Sequence, residues 1–372
     1  MSLLFEPLSL GPLRLPNRIV IAPMCQYSAD GQGTPGDWHL IHLGNLALSG
    51  AGLLILEATA VSPEGRISPF DLGLYSDANE AGLARVLQAV RAHSPMPLAV
   101  QLAHAGRKGS SRVPWEGGTQ IRPGEPLGWK TVAPSPLPHS PDEDPPEALD
   151  AQGIRKVRDD FVAAARRAAR LGLDGIELHF AHGYLLHQFL SPLANQRTDA
   201  YGGSLANRMR LPLEVYDIVR ESFTPDRPVW ARISATDWVP GGWDIEGTVA
   251  LSQALKARGC AAIHVTTGGL SPAQAIRIGP GYQVPYAQRV KAEVGLPTLA
   301  VGLITEPRQA EAILRDGEAD AVSLARALLY DPRWPWHAAA ALGAQVFAPP
   351  PYWRCQPHEY KHLFIESRFG QR

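Results

Sequence analysis

The stretch "GIELHFAHGYLLHQFL" (175–190) carries His179, His182, Tyr184 and His187 at the end of an apolar run. Three imidazoles at this spacing could bind a metal, donate hydrogen bonds to a growing negative charge, or be ordinary core and loop residues. No glutamate sits in a His-Glu-x-x-His arrangement and no cysteine lies nearby, which weighs against metal. His187 reads as an ordinary loop histidine satisfied by the backbone, or as a packing residue of the following helix. Arg232 lies inside "VWARISA", an apolar run where a guanidinium needs an anionic partner. Gln101 in "QLAHAGRK" offers both a donor and an acceptor, and Lys108 a cation for phosphate or other anionic charge or for solvent. Cys25 follows "RIVIAPM"; alone, it reads more readily as a small buried hydrophobe than as a reactive thiol. Gly302 in "AVGLIT" and Arg326 in "LARALLY" could meet a phosphate.

These residues end a repeating set of elements. Apolar runs rich in Val, Ile and Leu occupy 18–24, 52–61, 97–106, 174–181, 228–235, 261–269, 297–305 and 320–328. Amphipathic segments such as "DDFVAAARRAARLGL" separate them. Eight β-then-α units predict an α/β fold of the (β/α)8 TIM-barrel type, with an open doubly wound sheet as the alternative. A barrel sends the C-terminal ends of its strands to one rim, where Cys25, Tyr27, Ala58, Gln101, His179, His182, Arg232, Gly302 and Arg326 would meet. The proline-rich segment 109–150 predicts a surface excursion over that rim after the third strand; a flexible interdomain linker is the alternative. Residues 1–354 read as a single barrel domain, and 355–372 as a C-terminal extension with no functional account.

Composition narrows the classes. A net charge of −1 offers no global field for nucleic acid or anionic lipid. No apolar run spans a bilayer, since Glu57 interrupts the best candidate, and the first residues lack a secretory pattern. Three scattered cysteines fit a reducing compartment, so a cytoplasmic protein without membrane or nucleic-acid partners is expected.

"APMCQY", "QLAHAGRK", "ELHFAHGYLLHQFLSPLANQRTDAYGGSLANRMR" and "DAVSLARALLYDP" closely resemble the Old Yellow Enzyme family. Within it the chain resembles the bacterial branch of xenobiotic reductases and YqjM-like ene-reductases, from about residue 3 to about residue 354. The resemblance implies a flavin-bearing barrel and an FMN-dependent ene-reductase. NADPH or NADH reduces the flavin, which then passes hydride to the β-carbon of an activated alkene such as an α,β-unsaturated carbonyl. It also implies the roles: His179 and His182 as donors to the substrate oxygen, Tyr184 as proton donor, Tyr27 as a substrate-lining residue, and Cys25 as the thiol beside the flavin. Ala22, Pro23, Met24, Ala58, Gln101, Arg232, Gly302, Ala325 and Arg326 match cofactor-binding positions, with no metal. Ala325 stands where relatives usually have Gly, and Ala accepts positive φ poorly. The ending "PPPYWRC" implies a homodimer or larger homo-oligomer, with Tyr352, Trp353 or Arg354 near a neighbouring subunit's site.

Two rivals remain at this point. "GQGTPG" (31–36) has the glycine spacing of a dinucleotide-binding turn, with Glu57 as the ribose-binding acid, although "CQYSAD" separates it from the preceding strand. A barrel that merely binds a sugar or phosphate is the other.

Overall fold

The computed structural model describes residues 2–368. Eight parallel strands close into a barrel: β1 (Ile19–Ile21), β2 (Leu53–Ala60), β3 (Leu98–Ala103), β4 (Gly175–Phe180), β5 (Val229–Ser234), β6 (Ile263–Thr266), β7 (Thr298–Ala300) and β8 (Ala321–Leu324). Each lies inside one of the eight apolar runs. Every residue of all eight is buried, as expected when helices cover the outer face and neighbouring strands fill the inner one. Closure comes from β8 pairing with β1 over Val322↔Ile19 to Leu324↔Ile21, which removes the open-sheet alternative.

Several of the outer helices start at side-chain caps. Asp150, Ser204 and Asp244 accept hydrogen bonds from the backbone N–H groups of Gly153, Asn207 and Gly247. The first of these helices, Ala151–Arg170, buries Ile154, Val157, Phe161, Ala164, Ala165 and Ala168 along one stripe.

Register fixes which polar residues share a level. Gln101 pairs with Glu177 and Glu177 with Trp230; one level nearer the rim, His179 pairs with Arg232 and Arg232 with His264. Trp230 lies across Gly175, where an added Cβ would sit 2.4 Å from the indole ring. Gly175→Ala is therefore expected to lower stability by about 1–3 kcal/mol through overpacking, as measured by urea denaturation.

The dinucleotide reading of "GQGTPG" falls here. The chain runs through a loop from 22 to 36 before helix Asp37–Ala47 begins, so no strand-to-helix turn holds the glycines. Glu57 is the extra residue of a bulge between Leu56↔Val100 and Ala58↔Gln101. Its carboxylate accepts from the Gln26 N–H at 2.9 Å and lies 3.3 Å from His39 Nε2.

Segment 109–150 connects β3 to helix Ala151–Arg170 of the same barrel, and it is pinned down. Arg107, at its root, donates to the carbonyls of Leu137, Pro138 and Leu270, and Trp129 Nε1 donates to the Glu64 carbonyl. Trp115 meets Tyr27 edge-on at 5.9 Å, so one turn of the excursion reaches the rim. Beyond residue 354, Leu363 and Phe364 are buried, and the Phe364 ring packs 4.9 Å from Trp336. Among the described residues no helix is long and apolar enough to cross a membrane.

Candidate active site

The loop leaving β4 sets the geometry of the opening motif. His182 has φ 58° and Gly183 φ 74°, a tight left-handed bend between His179 and Tyr184. A non-glycine residue held there costs of order 1–3 kcal/mol unless its surroundings enforce it. They do: the His182 N–H donates to Ser234 Oγ at 3.0 Å, and Lys108 Nζ donates to the His182 carbonyl at 2.9 Å and the Gly269 carbonyl at 3.0 Å. The Gly183 N–H donates to His187 Nδ1 at 2.9 Å, and His187 Nε2 lies 2.9 Å from Asp237 Oδ1. His187 is thus a buried brace for the loop, satisfied on one side by backbone as the first of its two sequence readings expects. Lys108 meets backbone carbonyls and lies 5.2 Å from the Tyr184 ring centre, and burial pushes its pKa down to about 8.

The bend brings three rings together. His179 stands edge-on to His182 and to Tyr184, with centroids 5.0 Å apart in each case. Burial, followed by the Arg232 charge, holds both imidazoles well below the ordinary histidine range, so both are neutral. Burial holds the Tyr184 phenol well above its usual range, so it keeps its proton. Below about pH 6.5 an unfolded chain takes up protons that these two rings refuse, so their burial subtracts stability as the pH falls. His179→Gln is expected to lose less stability than the parent between pH 7 and 5, read from urea midpoints at each pH. An equal loss would show that His179 takes up its proton as readily in the folded state as in the unfolded chain.

Around these rings lie the other residues singled out. Cys25 is half-buried, and burial with the nearby Asp71 and Glu57 charges keeps it a neutral thiol. It adjoins Tyr27, which is also held at positive φ, 51°. Ala58 and Tyr184 line one small hollow together with Asp71. Burial pushes the Asp71 carboxyl up to about 7, although Ser68 Oγ and the Ile67 N–H both bond to it. Gln101 Nε2 donates to Glu177 Oε1 at 2.7 Å. Glu177 Oε2 accepts from Trp230 Nε1 at 2.7 Å and meets His264 Nδ1 at 2.7 Å. Burial would raise the pKa of Glu177, but His264 and Arg232 outweigh it and hold the carboxyl low.

An open cleft of about 240 Å³ runs from these rings along the ends of β5 to β8. Ala22, His182, Arg232, Thr266, Gln283, Gly302, Ser323, Ala325 and Arg326 all contribute to its wall. Ala22 is 2% exposed and donates its N–H to the Leu324 carbonyl, while Pro23 and Met24 are half-buried beside it. Gly302 has φ 115°, and a Cβ there would lie 3.1 Å from Gln283 Cβ. Ala325 has φ −109°, so the expected conflict with positive φ does not arise. Arg232 is the decisive residue. It is 8% exposed, yet no carboxylate lies within ion-pair distance, and its buried Nε has no hydrogen-bond partner among the described residues. Ser323 Oγ on the same wall is likewise buried and unpartnered. A flat polar cofactor with an anionic tail suits such a wall. Tyr352, Trp353 and Arg354 lie on a 3₁₀ turn packed against the chain's own Trp336, and none of them lines this cleft. Among the described residues no cluster of three metal-ligating side chains exists.

Sequence reasoning does not single out Glu177, Asp71, Thr266 or Gln283. Glu177 had a readable signal, since it alternates with His179 on one strand. The others become visible only through contacts made by the fold.

Residues 3–345 match the model of the NADH:flavin oxidoreductase / NADH oxidase family. The NADPH dehydrogenase of Geobacillus thermodenitrificans is 43% identical over 354 residues, covering 95% of this chain and 98% of that protein. The NADPH dehydrogenase of Listeria innocua is 41% identical over 355 residues, covering 95% and 99%. Morphinone reductase superposes with a TM-score of 0.75 at 31% identity, covering 99% of both chains. The old yellow enzyme homologue of Zymomonas mobilis gives 0.74 at 26% identity, covering 98% and 97%. The unpaired Arg232 and the open wall around Gly302 and Arg326 fit the cofactor that this family carries. The chain belongs to the NADH:flavin oxidoreductase / NADH oxidase family, the Old Yellow Enzyme family, and is an FMN-dependent oxidoreductase that takes its electrons from NADPH or NADH.

Proposed function

We propose that this flavoprotein is an ene-reductase for activated alkenes such as α,β-unsaturated carbonyl compounds. One observation carries the reading: the His179–His182–Tyr184 ring cluster adjoins the cleft whose wall holds the unpaired Arg232. Bound FMN would supply hydride. His179 and His182 receive the substrate's carbonyl oxygen and donate neutral N–H groups to the charge that grows on it. The Tyr184 phenol, protonated through neutral pH, gives its proton to the α-carbon and regains one from solvent. Tyr27 and Trp115 wall the entrance, and the Cys25 thiol lies behind Tyr27. Arg232 and Gln101 would hold the flavin's ring, with Ala22, Pro23, Met24 and Ala58 beside it, and Gly302, Ala325 and Arg326 would hold its phosphate. Residues 1–354 act as one catalytic unit.

Isotope labelling tests this reading. Cyclohexenone reduced in D₂O is expected to gain one deuterium at the α-carbon and none at the β-carbon. Solvent label at the β-carbon, or no saturated product, would contradict it.

A homo-oligomer is the proposed assembly. Trp38 and Ile41 are exposed on helix Asp37–Ala47, Trp38 Nε1 reaches Gln26 at the rim, and Tyr330 and Tyr352 are exposed further along the chain. Light scattering is expected to give at least twice the 40.2 kDa chain mass. A cytoplasmic setting is proposed on the three free cysteines.

A further inference from the structure

A directed chain of hydrogen bonds crosses the histidine pair and ends on residues with no role assigned so far. Gln283 Oε1 can only accept. Thr266 Oγ1 lies 2.9 Å from it and Thr267 Oγ1 3.1 Å, so both hydroxyls spend their single proton there. Thr266 Oγ1 therefore has only lone pairs left for His182 Nε2, 3.0 Å away, and Nε2 must carry a proton. His182 is neutral, so its Nδ1 is a bare acceptor, and His179 Nε2 at 3.3 Å must be the donor to it. His179 Nδ1 is then bare as well, and it receives the Ala181 N–H at 3.2 Å. The chain is fixed at both ends, by a backbone donor at Ala181 and by an amide oxygen at Gln283. Reversing either ring sets two donors against each other.

We propose that Thr266 and Gln283 are positioning residues that fix both His179 and His182 in the Nε2–H tautomer, so that the two Nε2–H groups, which otherwise point to His182 Nδ1 and Thr266 Oγ1, are the ones a substrate oxygen draws on when it displaces or shares these contacts. The partner of one ring nitrogen sets the protonation of the other. Gln283 also packs against Gly302 on the cofactor cleft, which ties the histidine pair to the wall that holds the flavin. The consequence for substrate rests on the ene-reductase reading; the tautomer assignment does not.

The test is long-range ¹H–¹⁵N spectroscopy of ¹⁵N-histidine-labelled, FMN-loaded protein, with signals assigned through His179→Asn and His182→Asn. Wild type is expected to show bare Nδ1 and protonated Nε2 at both rings. Gln283→Leu frees the Thr266 proton to donate the other way, and is expected to move His182 toward Nδ1–H. The nearly isosteric Thr266→Val removes the acceptor and is expected to mix the tautomers, while Thr266→Ser retains the wild-type pattern. In the first two variants, reoxidation of the reduced protein by cyclohexenone is expected to slow about tenfold or more, the scale on which an orienting partner acts. Yellow, folded Thr266→Val and Gln283→Leu with wild-type tautomers would overturn the proposal. If wild type fails to turn over cyclohexenone, the ene-reductase reading falls, and the spectra alone decide the tautomer assignment.

Discussion

Tyr184→Phe is expected to slow alkene-dependent reoxidation by about 10²–10⁴-fold, the usual worth of a positioned general acid. Reduction by NADPH should change little. The substitution removes one oxygen and keeps the ring, so the edge-on contact with His179 at 5.0 Å and the Lys108 ammonium 5.2 Å from the ring centre both persist. The effect is then chemical and not a loss of fold. Burial raises the Tyr184 pKa, which guarantees the protonated form but also makes the phenol a weaker acid. The transfer therefore depends on charge already developed on the substrate, and the histidine donors and the acid act as a unit. Anaerobic stopped-flow measurement of the two half-reactions checks this. Equal slowing of both would assign Tyr184 a role in binding, and no slowing would remove it from the protonation step.

Replacing His179 and His182 by Ala is expected to lower the same step by about 10²–10³-fold for a single lost donor. The double variant should cost little more than either single one, because each ring holds the other: His179 Nε2 and His182 Nδ1 are 3.3 Å apart. Loss of one leaves its partner free to turn away from the substrate. Cyclohexenone KM should rise as well, since the same N–H groups bind the ground-state carbonyl. Additive effects of the two single variants would show that the rings act independently.

Much of the barrel was readable because its strands are buried on both faces and their apolar runs stand out from the helices between them. Arg232 was readable for the opposite reason, as a charge inside such a run. What escaped depends on register and on distant contacts. Glu57 resembles a ribose-binding acid at its sequence spacing, but the bulge before Ala58 turns it toward His39 and the Gln26 N–H. Lys108 reads as a cation for flavin, phosphate or solvent, yet it binds two backbone carbonyls contributed by other loops. Thr266 and Gln283 are uncharged residues 17 positions apart, and only the fold sets them in line with His182. Ala325 raised a conflict with positive φ that the observed backbone avoids.

The most direct measurement is an anaerobic titration of the purified yellow protein with NADPH, followed by cyclohexenone. The account predicts loss of the flavin colour on the first addition, its return on the second, and one equivalent of cyclohexanone. Bleached protein that stays colourless after cyclohexenone, while molecular oxygen restores it, would contradict the assignment of the His179–His182–Tyr184 cluster to alkene reduction.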